Sequence, residues 1–404
     1  MIDAPRRPWR GRRVLLGVTG GIAAYKTVQL ARDLTRLGAE VDVILTRSAS
    51  AFVGSLSFEG VTGRPVASDL LAPGAALDHI RLARDADVVC VAPATADFLA
   101  RAAVGRSNDL LAAILLATRA PVLICPAMND LMWSHPATQT NAERLRVDLG
   151  YRLCGPAVGP LAFDEGEGPG RMEDPAVIRE EIGRLLEVEG PFSGKRVLVT
   201  AGPTREPVDP VRFLSNRSSG RMGVAMAAAA WRRGAEVVLV HGQLSVPLPA
   251  RVRAVEVHTA EEMLDAVRRE LGGADALIMA AAVADFRPAQ TSERKVKKSE
   301  GPGALELTAA PDILAETIGD RPERLATLGF ALETEAGAVA ARGKLEQKSL
   351  DQIALNMVGE DSGFESATNR VTLIDGDGGE EALPLLPKEE VAEAILDRFG
   401  RFLA

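Results

Sequence analysis

Two stretches of the chain share one pattern of apolar and polar positions. In residues 12–46, a run rich in β-branched residues leads into a glycine turn, then into apolar positions at helical spacing up to Gly38, and then into a second apolar run. The same order returns in residues 195–204 and 220–242, where Gly234 ends the helical spacing. Short apolar runs predict buried strands, and apolar positions at helical spacing predict amphipathic helices. The repeat therefore predicts two domains of the same construction.

Further matches lie downstream in both halves. Residues 85–98 (DADVVCVAPATADF) correspond to residues 273–286 (GADALIMAAAVADF), and the Gly- and Pro-containing residues 188–194 stand between the halves. Strands that alternate with helices form parallel sheets with helices on both faces. We therefore predict an α/β fold of two Rossmann-like three-layer domains, residues 1–190 and 191–404.

Composition narrows the choice of partners. The 404 residues are 47% apolar, which is enough for two or three well-packed domains. The net charge of -8 and the pI near 5.3 argue against a nucleic-acid-binding protein, which needs a basic surface. The expected partners are small molecules and copies of the chain itself.

Membrane and redox chemistry are also limited by the sequence. No apolar run reaches the ~18 residues that cross a bilayer, and no apolar signal-peptide core follows the basic opening residues. We expect no membrane partner and a cytoplasmic protein. Cys90, Cys125 and Cys154 are odd in number, and two of them stand in apolar runs, which predicts buried reduced thiols.

The strand-to-helix turns are the expected ligand sites, because ligands of parallel sheets bind beyond the carboxyl ends of the strands. For any one turn, small residues that merely allow tight turning are an equal explanation. The turns are residues 19–23, 46–50, 92–97, 126–133, 201–221 and 280–286.

The first of these turns predicts a phosphate site. Thr19, Gly20 and Gly21 stand at a helix N-terminus, where free N–H groups and the helix dipole favour an anion. The dinucleotide pattern G-x-G-x-x-G is missing, and the second strand ends in Thr46 and Arg47 rather than in the acidic residue that would hold an NAD ribose. We predict a mononucleotide phosphate held by hydroxyls and amides, which points to FMN.

Two later turns add to the same predicted site. Ala94 and Thr95, in APATADF, would let a flat ring approach the backbone closely. Asn108, in SNDLL, begins a helix, where a simple N-cap is an equal explanation.

Five motifs of the first half resemble those of the flavin-dependent phosphopantothenoylcysteine decarboxylases. The resemblance is dense over residues 12–172, and its motifs are GVTGGIAAYK, LDHIRLA, APATADF, SNDLL and PAMNDLMWSHPATQTN. It implies a homo-oligomeric, flavodoxin-like protein with FMN as its cofactor, and trimeric flavin domains. It also places Met128 at the cofactor.

The segment that begins at Pro126 holds the substrate in that family. By resemblance, Asn129 binds the cysteine carboxylate, while Met132 and Trp133 shape the pocket. A neutral amide suits the loss of CO2, because a cation would stabilise the charge that has to leave. The alternative is that Asn129 caps the next helix and that the apolar residues belong to the core.

His79 resembles the catalytic histidine of the family. The implied role is acid-base work on the substrate thiol, for which an imidazole is suited because it titrates near neutral pH. Without the resemblance, a surface histidine would be the more ordinary explanation.

The next matching segment, residues 159–172 (GPLAFDEGEGPGRM), is called the flap here, and it departs from the family at one position. Arg171 and Met172 match, and the resemblance makes them substrate contacts. The family has a proton-donating Cys where this chain has Asp164, or Phe163 if the gap is placed differently. Asp164 would serve as a proton donor only if burial raised its pKa.

The second half contains a long polar loop, residues 200–223, which suits an anion but is also compatible with an ordinary capped surface loop. This loop and the segments AAAVADFRP, RKVKK, APDIL, GFALET and KLEQKSLDQIALN resemble the phosphopantothenate-cysteine ligases that follow the decarboxylase in bifunctional bacterial enzymes. The match covers nearly all of residues 194–358. It implies CTP as co-substrate, Mg2+, and dimeric ligase domains.

The resemblance also assigns residues of this half. Asn216 would handle the acyl cytidylate, and Lys295 would lie in a lid formed by residues 292–303. Lys344 and Lys348, four residues apart on one helical face, would bind the triphosphate, although each lysine alone is more ordinarily a solvated charge. The metal ligands stay open. The predicted CTP contacts are Met279, Ala280, Ala281, Asp285, Lys295, Pro311, Asp312, Ile313, Leu314, Phe330, Lys344 and Lys348.

The sequence thus favours an enzyme that joins cysteine to 4'-phosphopantothenate with CTP, through an acyl cytidylate, and then decarboxylates the product to 4'-phosphopantetheine with FMN. A second hypothesis keeps the ligase and makes the flavin domain an impaired decarboxylase, because the flap Cys is missing. A third, an NAD(P) oxidoreductase, lacks the required glycine spacing. Residues 362–404 predict a hairpin of short strands and a closing helix, to which we assign no chemistry.

Overall fold

The chain divides into two compact units, and the boundary falls between Leu186 and Glu187. Parts of two predicted segments, residues 298–303 of the lid and 362–365 of the last segment, lie outside the described residues. The computed structural model describes residues 8–72, 74, 76–187, 189–297, 304–333, 337–357 and 366–403.

The N-terminal unit alternates strands with helices. Its strands are β1 (Arg13–Val18), β2 (Glu40–Leu45), β3 (Val88–Ala94), β4 (Val122–Pro126), β5 (Arg152–Leu153), β6 (Ala157–Pro160) and β7 (Glu167–Arg171). Its helices are α1 (Ala24–Arg36), α2 (Ser55–Thr62), α3 (Asp78–Asp85), α4 (Ala96–Ala103), α5 (Leu110–Ala117), α6 (Asp130–Ser134), α7 (Pro136–Val147) and α8 (Pro175–Glu187). The first five strands form a parallel sheet in the order β2-β1-β3-β4-β5, and β6 and β7 form a separate antiparallel hairpin.

The central strand β3 is buried along its whole length. Val88 and Cys90 pack into a cluster with residues of α1 and α8, whereas Val89 and Val91 pack into a cluster with residues of α4 and α5. Successive side chains of a strand point to opposite faces, so this alternation means that helices cover both faces of the sheet. The unit is therefore the predicted three-layer α/β structure.

The C-terminal unit repeats this plan on a larger sheet. Its strands are β8 (Arg196–Ala201), β9 (Arg205–Pro207), β10 (Phe213–Ser215), β11 (Glu236–His241), β12 (Arg253–Glu256), β13 (Ala276–Met279), β14 (Phe286–Pro288), β15 (Leu307–Ala309), β16 (Ala326–Glu333), β17 (Gln352–Met357), β18 (Thr368–Asn369), β19 (Val371–Asp375), β20 (Glu380–Ala382) and β21 (Leu386–Pro387). Its helices are α9 (Arg221–Arg232), α10 (Ala260–Leu271), α11 (Ile313–Glu316), α12 (Gly337–Gln347) and α13 (Lys388–Phe399).

Eight strands form the main sheet, in the order β12-β11-β8-β13-β16-β17-β19-β20. The first six run parallel, and β19 and β20 join antiparallel. The predicted hairpin and closing helix are confirmed as β19, β20 and α13. Phe192, at the start of the unit, shares a core cluster with Phe399 of α13, so the two ends of the unit close one core.

Two predicted details are also confirmed. Gly38 and Gly234 follow helices α1 and α9 with φ of 97° and 95°, a backbone conformation that glycine adopts without strain. The three cysteines are buried and unbridged, and burial raises the pKa of the Cys125 thiol. Among the described residues, no helix is both long and apolar enough to cross a membrane.

Candidate active sites

The turn after β1 is tied to the turn after β3 by one hydroxyl. Thr19 Oγ1 donates to the carbonyl oxygen of Pro93 at 2.8 Å and accepts from the N–H of Thr95 at 3.1 Å. Thr19 is 2% exposed, so its hydroxyl is used inside the fold. It positions the two turns relative to each other, and its predicted contact with a phosphate stays a prediction.

Thr46 shows the same behaviour at the end of β2. Its Oγ1 donates to the carbonyl oxygen of Val18 at 3.2 Å and accepts from the N–H of Ala49 at 3.3 Å, and the residue is 6% exposed. The hydroxyls of Thr19 and Thr46 therefore both make internal hydrogen bonds, and their predicted contacts with a phosphate stay predictions. The N-terminus of α1, which has no side-chain cap and no acidic residue in its first turn, remains as the anion-binding feature.

Gly20 is required at this turn and Gly21 is not. A Cβ on Gly20 would lie 2.3 Å from the Cβ of Ser48 and 2.9 Å from its carbonyl carbon, so the two turns approach each other too closely for any side chain. A Cβ on Gly21 would meet only the Cγ2 of Thr95, at 3.7 Å. Gly20 therefore allows a close backbone approach that no other residue could make without a shift of the chain.

Ala94 and Asn108, two predicted cofactor contacts, differ in exposure. Ala94 is fully buried in the core. The next residue, Thr95, is the N-cap of α4. Asn108 is exposed and accepts from Arg101 at 3.0 Å, while Asp109 caps α5 by accepting from the N–H of Ala112 at 2.8 Å. Asn108 is thus not the N-cap, and its side chain remains at the surface.

Asn129 caps the short helix α6. Its Oδ1 accepts from the N–H of Leu131 at 2.9 Å, which leaves the NH2 group as the donor for a ligand. Met132 is 49% exposed, and Trp133 and Met128 are partly buried against the core. The capping alternative and the ligand-binding hypothesis are therefore compatible, because they use different atoms of one amide.

The hairpin of β6 and β7 packs against residues 128–130. The N–H of Met128 donates to the carbonyl oxygen of Gly170 at 2.9 Å. A Cβ on Gly170 would lie 2.3 Å from the carbonyl oxygen of Met128, and a Cβ on Gly168 would lie 2.9 Å from the Cβ of Asp130. Only glycine allows the hairpin to lie this close to Asn129.

Three predicted flap residues do not face one pocket. Met172 is 1% exposed in the core cluster of α1 and α8, so its side chain packs inside the unit, and its predicted substrate contact stays a prediction. Arg171 pairs with Asp174, 2.7 Å away. Asp164 is exposed in the turn between β6 and β7, with φ of 65°. The chain does not provide the burial that proton donation by Asp164 requires.

His79 lies in a separate cavity of about 570 Å³. Its Nδ1 is buried and has no hydrogen-bond partner among the residues that the structure describes. Within the described chain, no residue of the turns 19–21, 46–50 or 128–133 lines this cavity. The other residues that line it are Leu70, Leu71, Ala72, Ala76, Ser107, Ala113 and Leu116.

The C-terminal unit has a cavity of about 590 Å³ at the carboxyl ends of its parallel strands. It brings together all the predicted nucleotide contacts except Lys295, and also Asn216. They come from five separate segments of the sequence: the loop after β10, the end of β13 with the loop after it, the turn before α11 with its first residues, strand β16, and helix α12. The lining residues that were predicted are Asn216, Met279, Ala280, Ala281, Asp285, Pro311, Asp312, Ile313, Leu314, Phe330, Lys344 and Lys348.

Asn216 connects two of the loops around this cavity. Its Nδ2 donates to the carbonyl oxygens of Val283 at 2.9 Å and Ala282 at 3.3 Å. The amide is therefore held against the loop that follows β13. Its oxygen remains the atom with which a ligand donor can interact.

Lys295 does not line the cavity and is exposed. Its segment is attached elsewhere: the N–H of Val296 donates to Asp209 at 3.2 Å, and Arg212 donates to the carbonyl oxygen of Val296 at 2.7 Å. The hydrogen bond from Arg212, followed by backbone N–H groups, lowers the pKa of the buried Asp209 carboxyl. In this arrangement Lys295 is apart from the other predicted nucleotide contacts.

Four polar residues that line the cavity were not among the predicted contacts: Arg221, Asn356, Asn369 and Lys388. Asn369 and Lys388 belong to the final segment, to which we assigned no chemistry, and they nevertheless line the cavity. They reach the cavity because β18 pairs with β21 immediately before α13. The described residues contain no group of three or more His, Cys, Asp or Glu side chains arranged to hold a metal ion.

Comparison with known proteins agrees with this division. Residues 3–187 match the family model described as Flavoprotein, and residues 192–402 match the model described as DNA/pantothenate metabolism flavoprotein C-terminal domain. The chain is thus a flavoprotein domain followed by a domain of the second type, and the predicted α/β fold class is confirmed.

Curated relatives match along nearly the whole length. The coenzyme A biosynthesis bifunctional protein CoaBC of Mycobacterium tuberculosis (strain ATCC 25618 / H37Rv) is 45% identical over 419 residues, which cover 100% of this chain and 99% of the relative. That of Escherichia coli (strain K12) is 44% identical over 393 residues, 96% of each chain. The crystal structure of the C-terminal domain of a CoaBC protein is 39% identical, with a TM-score of 0.46, over 53% of this chain and 98% of that chain.

The chain belongs to the family of CoaBC bifunctional proteins of coenzyme A biosynthesis, as its motifs predicted. It is an enzyme with decarboxylase and ligase activity.

Proposed function

We propose that the C-terminal unit joins cysteine to 4'-phosphopantothenate at the expense of CTP, and that the N-terminal unit decarboxylates the product to 4'-phosphopantetheine with FMN. One observation carries the ligase half: a single cavity collects Asn216, Asp285, Phe330, Lys344 and Lys348 from distant parts of the sequence. The flavoprotein match of residues 3–187 supports the other half.

The ligase reaction has two steps. The carboxylate of 4'-phosphopantothenate attacks the α-phosphate of CTP, and pyrophosphate leaves. The cysteine amine then attacks the acyl cytidylate, loses a proton and displaces CMP. Negative charge grows on phosphate oxygens in the first step, so Lys344 and Lys348 have the charge that this step needs, and Mg2+ carried by the nucleotide would add to it.

The cytosine base needs fixed hydrogen-bond partners rather than charge. The cavity wall supplies backbone at residues 310–314 and 279–285, with Phe330 beside it. Asp312 caps α11 by accepting from the N–H of Ala315 at 3.2 Å, which fixes the backbone of this wall. We propose that this rigid backbone reads the edge of the base.

We propose that the turn after β1, at the N-terminus of α1, holds the phosphate of the flavin. Gly20 allows the close approach of two turns beside the uncapped N-terminus of α1. Thr19 and Thr46 hold those turns from inside, and Ala94, Thr95, Asn108 and Met128 stay proposed cofactor contacts. FMN, when bound, would take two electrons from the cysteine carbon, which makes CO2 loss easy, and would return them to the decarboxylated product, so that no external oxidant is needed.

The residues of this chain would position the substrate and move its protons. The NH2 group of Asn129 is available to hold the substrate carboxylate without adding a cation, so the carboxylate can lose its charge as CO2. His79 would take the proton of the substrate thiol. Its buried Nδ1, without a partner in the described chain, is compatible with such a role.

In the described part of the chain, the cavity of His79 is not lined by Asn129, and we propose that copies of the chain complete the site. Large apolar side chains near His79 are exposed: Leu71 is 86% and Leu77 is 72% exposed. Exposed apolar groups of this kind mark subunit contacts. This supports a homo-oligomer, which we propose is built from trimeric flavin domains and dimeric ligase domains in the cytoplasm.

A purified preparation tests both halves. We expect a flavin absorption spectrum, and pyrophosphate release that needs CTP, 4'-phosphopantothenate and cysteine together, with ATP as the comparison nucleotide. Absence of CTP-dependent release would refute the ligase proposal.

A second candidate is an active ligase with an impaired decarboxylase, because Asp164 is exposed where the family has a Cys. Release of CO2 and formation of 4'-phosphopantetheine should be compared in wild type and Asp164→Asn. No turnover in wild type would favour the second candidate. Turnover that survives Asp164→Asn would show that another group donates the proton.

A further inference from the structure

Two helices of the C-terminal unit begin side by side at the ligase cavity. Arg221 is the first residue of α9, Lys388 is the first residue of α13, and both line the cavity. The guanidinium of Arg221 lies 4.0 Å from the carboxylate of Glu389, the neighbour of Lys388. Helix N-termini carry partial positive charge, so two dipoles and two cations converge here with Glu389 as a partial counter-charge.

The position of Lys388 is costly for a cation. The residue is only 5% exposed. Burial, and after it the positive charge of Arg221, lowers the pKa of the Lys388 ammonium, while Glu389 acts in the opposite direction. Burial and like-charge repulsion both disfavour the charged form, and an anion bound between the two cations would offset both.

Two further polar groups point to the same conclusion. Arg221 Nε is buried and has no hydrogen-bond partner in the described part of the chain. Asn369 is 2% exposed and lines the same cavity, where its strand pairs with Leu386, shortly before Lys388. Guanidinium and ammonium groups form strong, charge-assisted hydrogen bonds to phosphate oxygens, and the NH2 group of Asn369 would be a neutral donor beside them.

We propose that Arg221 and Lys388 form a second anion subsite of the ligase cavity, separate from the lysines of α12, which binds a phosphate group of a reactant. The inference rests on the proposed function of the C-terminal unit. That reaction presents two such groups: the terminal phosphates of CTP, which leave as pyrophosphate, and the phosphate ester of 4'-phosphopantothenate. Their chemistry is the same, and kinetics can separate them.

Lys388→Met tests the subsite, because methionine keeps an unbranched apolar side chain and removes the charge. We expect the KM of CTP or of 4'-phosphopantothenate to rise about 10- to 100-fold, as for the loss of a charged hydrogen bond, with the KM of cysteine unchanged. Lys388→Arg should restore part of the loss. Lys195→Met, a partly exposed lysine that does not line the cavity, is the matched control.

The two sources give different patterns. A higher KM for CTP, with weaker calorimetric binding of inorganic pyrophosphate, assigns the subsite to the nucleotide. A higher KM for 4'-phosphopantothenate, with unchanged pyrophosphate binding, assigns it to the phosphate ester. Unchanged KM values for both reactants in a folded variant would overturn the proposal. Arg221→Met provides the same test if Lys388→Met does not fold.

Failure of the proposed function would be distinguishable from failure of the subsite. If wild type releases no pyrophosphate with CTP, the function is refuted, and direct binding still tests the subsite. Binding of inorganic phosphate or pyrophosphate that is weaker in Lys388→Met than in wild type supports the subsite. Equal binding of both anions overturns it.

Discussion

The ammonium group of Lys348 lies 2.9 Å from the carboxylate of Asp312. One cation of the ligase cavity is therefore already paired, and a triphosphate has to share or displace that partner. Asp312 also caps α11, so its charge and its capping oxygen are two separate contributions of one side chain.

Asp312→Asn separates these contributions, because asparagine caps a helix as well as aspartate does. We expect the variant to lower the KM of CTP several-fold, since Lys348 is released and a negative charge next to the phosphates is removed. Lys348→Met should raise the same KM about 10- to 100-fold. If Asp312→Asn instead weakens CTP as strongly as Lys348→Met, the carboxylate itself binds the nucleotide.

Gly20 and Gly21 form a matched pair for flavin binding. Alanine at position 20 would place its Cβ 2.3 Å from that of Ser48, whereas alanine at position 21 makes only an ordinary contact. We expect Gly20→Ala to be purified with little flavin and Gly21→Ala to retain most of it, as measured by flavin absorbance per protein. Equal flavin content in both variants would show that this turn does not cradle the cofactor.

Gly170→Ala tests whether the close packing of the β6–β7 hairpin against Met128 matters for decarboxylation. The added Cβ would lie 2.3 Å from the carbonyl oxygen of Met128, so the hairpin has to move away from Asn129. If the roughly 1–3 kcal/mol cost of overpacking disfavours the present position of the hairpin, that position becomes about 10- to 100-fold less populated, and we expect CO2 release to fall by the same factor while ligase activity is kept. Gly60→Ala, in α2 with open space around it, is the control and should change neither activity.

His79→Asn should abolish CO2 release, by at least ~100-fold, and leave CTP-dependent pyrophosphate release unchanged. His135→Asn is the matched control, because His135 is an exposed helix cap for which asparagine is a good replacement. Loss of both activities in a folded His79→Asn protein would contradict the division into two sites.

The buried carboxylate of Asp209 predicts a pH-dependent stability difference. Its pKa is lowered in the folded protein, chiefly by the hydrogen bond from Arg212, so its contribution is present above the pKa of about 3.9 that it has when unfolded and is lost as pH falls further. We expect Asp209→Asn to lower the unfolding temperature of the ligase unit at pH 6, and the difference from wild type to shrink at pH 3. A difference that stays constant with pH would exclude this origin.

Much of the ligase cavity could be predicted from sequence because its residues follow the strands of a parallel sheet. Residues 279–285 and 311–314 stand directly after buried runs, and ligands of such sheets bind there. Lys388 could not be found in this way. It comes to the cavity through the pairing of two very short strands, β18 and β21, and no periodic pattern in the sequence marks a pairing of two residues.

The hydrogen-bond partners of Thr19 and Thr46 could not be predicted from the sequence, for a different reason. Thr19 and Thr46 follow strands, as predicted, but a threonine at a strand end can donate to a ligand or to a neighbouring carbonyl group. The choice depends on the distance to the next strand, and Pro93 is close enough to take the hydroxyl of Thr19. The exposure of Asp164 could not be predicted either, because it depends on the shape of the whole β6–β7 hairpin.

The core that Phe192 shares with Phe399 affects the order in which the protein can be made. The first unit is complete once residue 186 has left the ribosome, whereas the second cannot close its interior until α13 has been synthesised. At roughly 5–20 residues per second, translation of the remaining chain takes on the order of ten seconds or more. During that interval an already folded flavoprotein unit can meet its cofactor and other nascent copies while the ligase unit is still open.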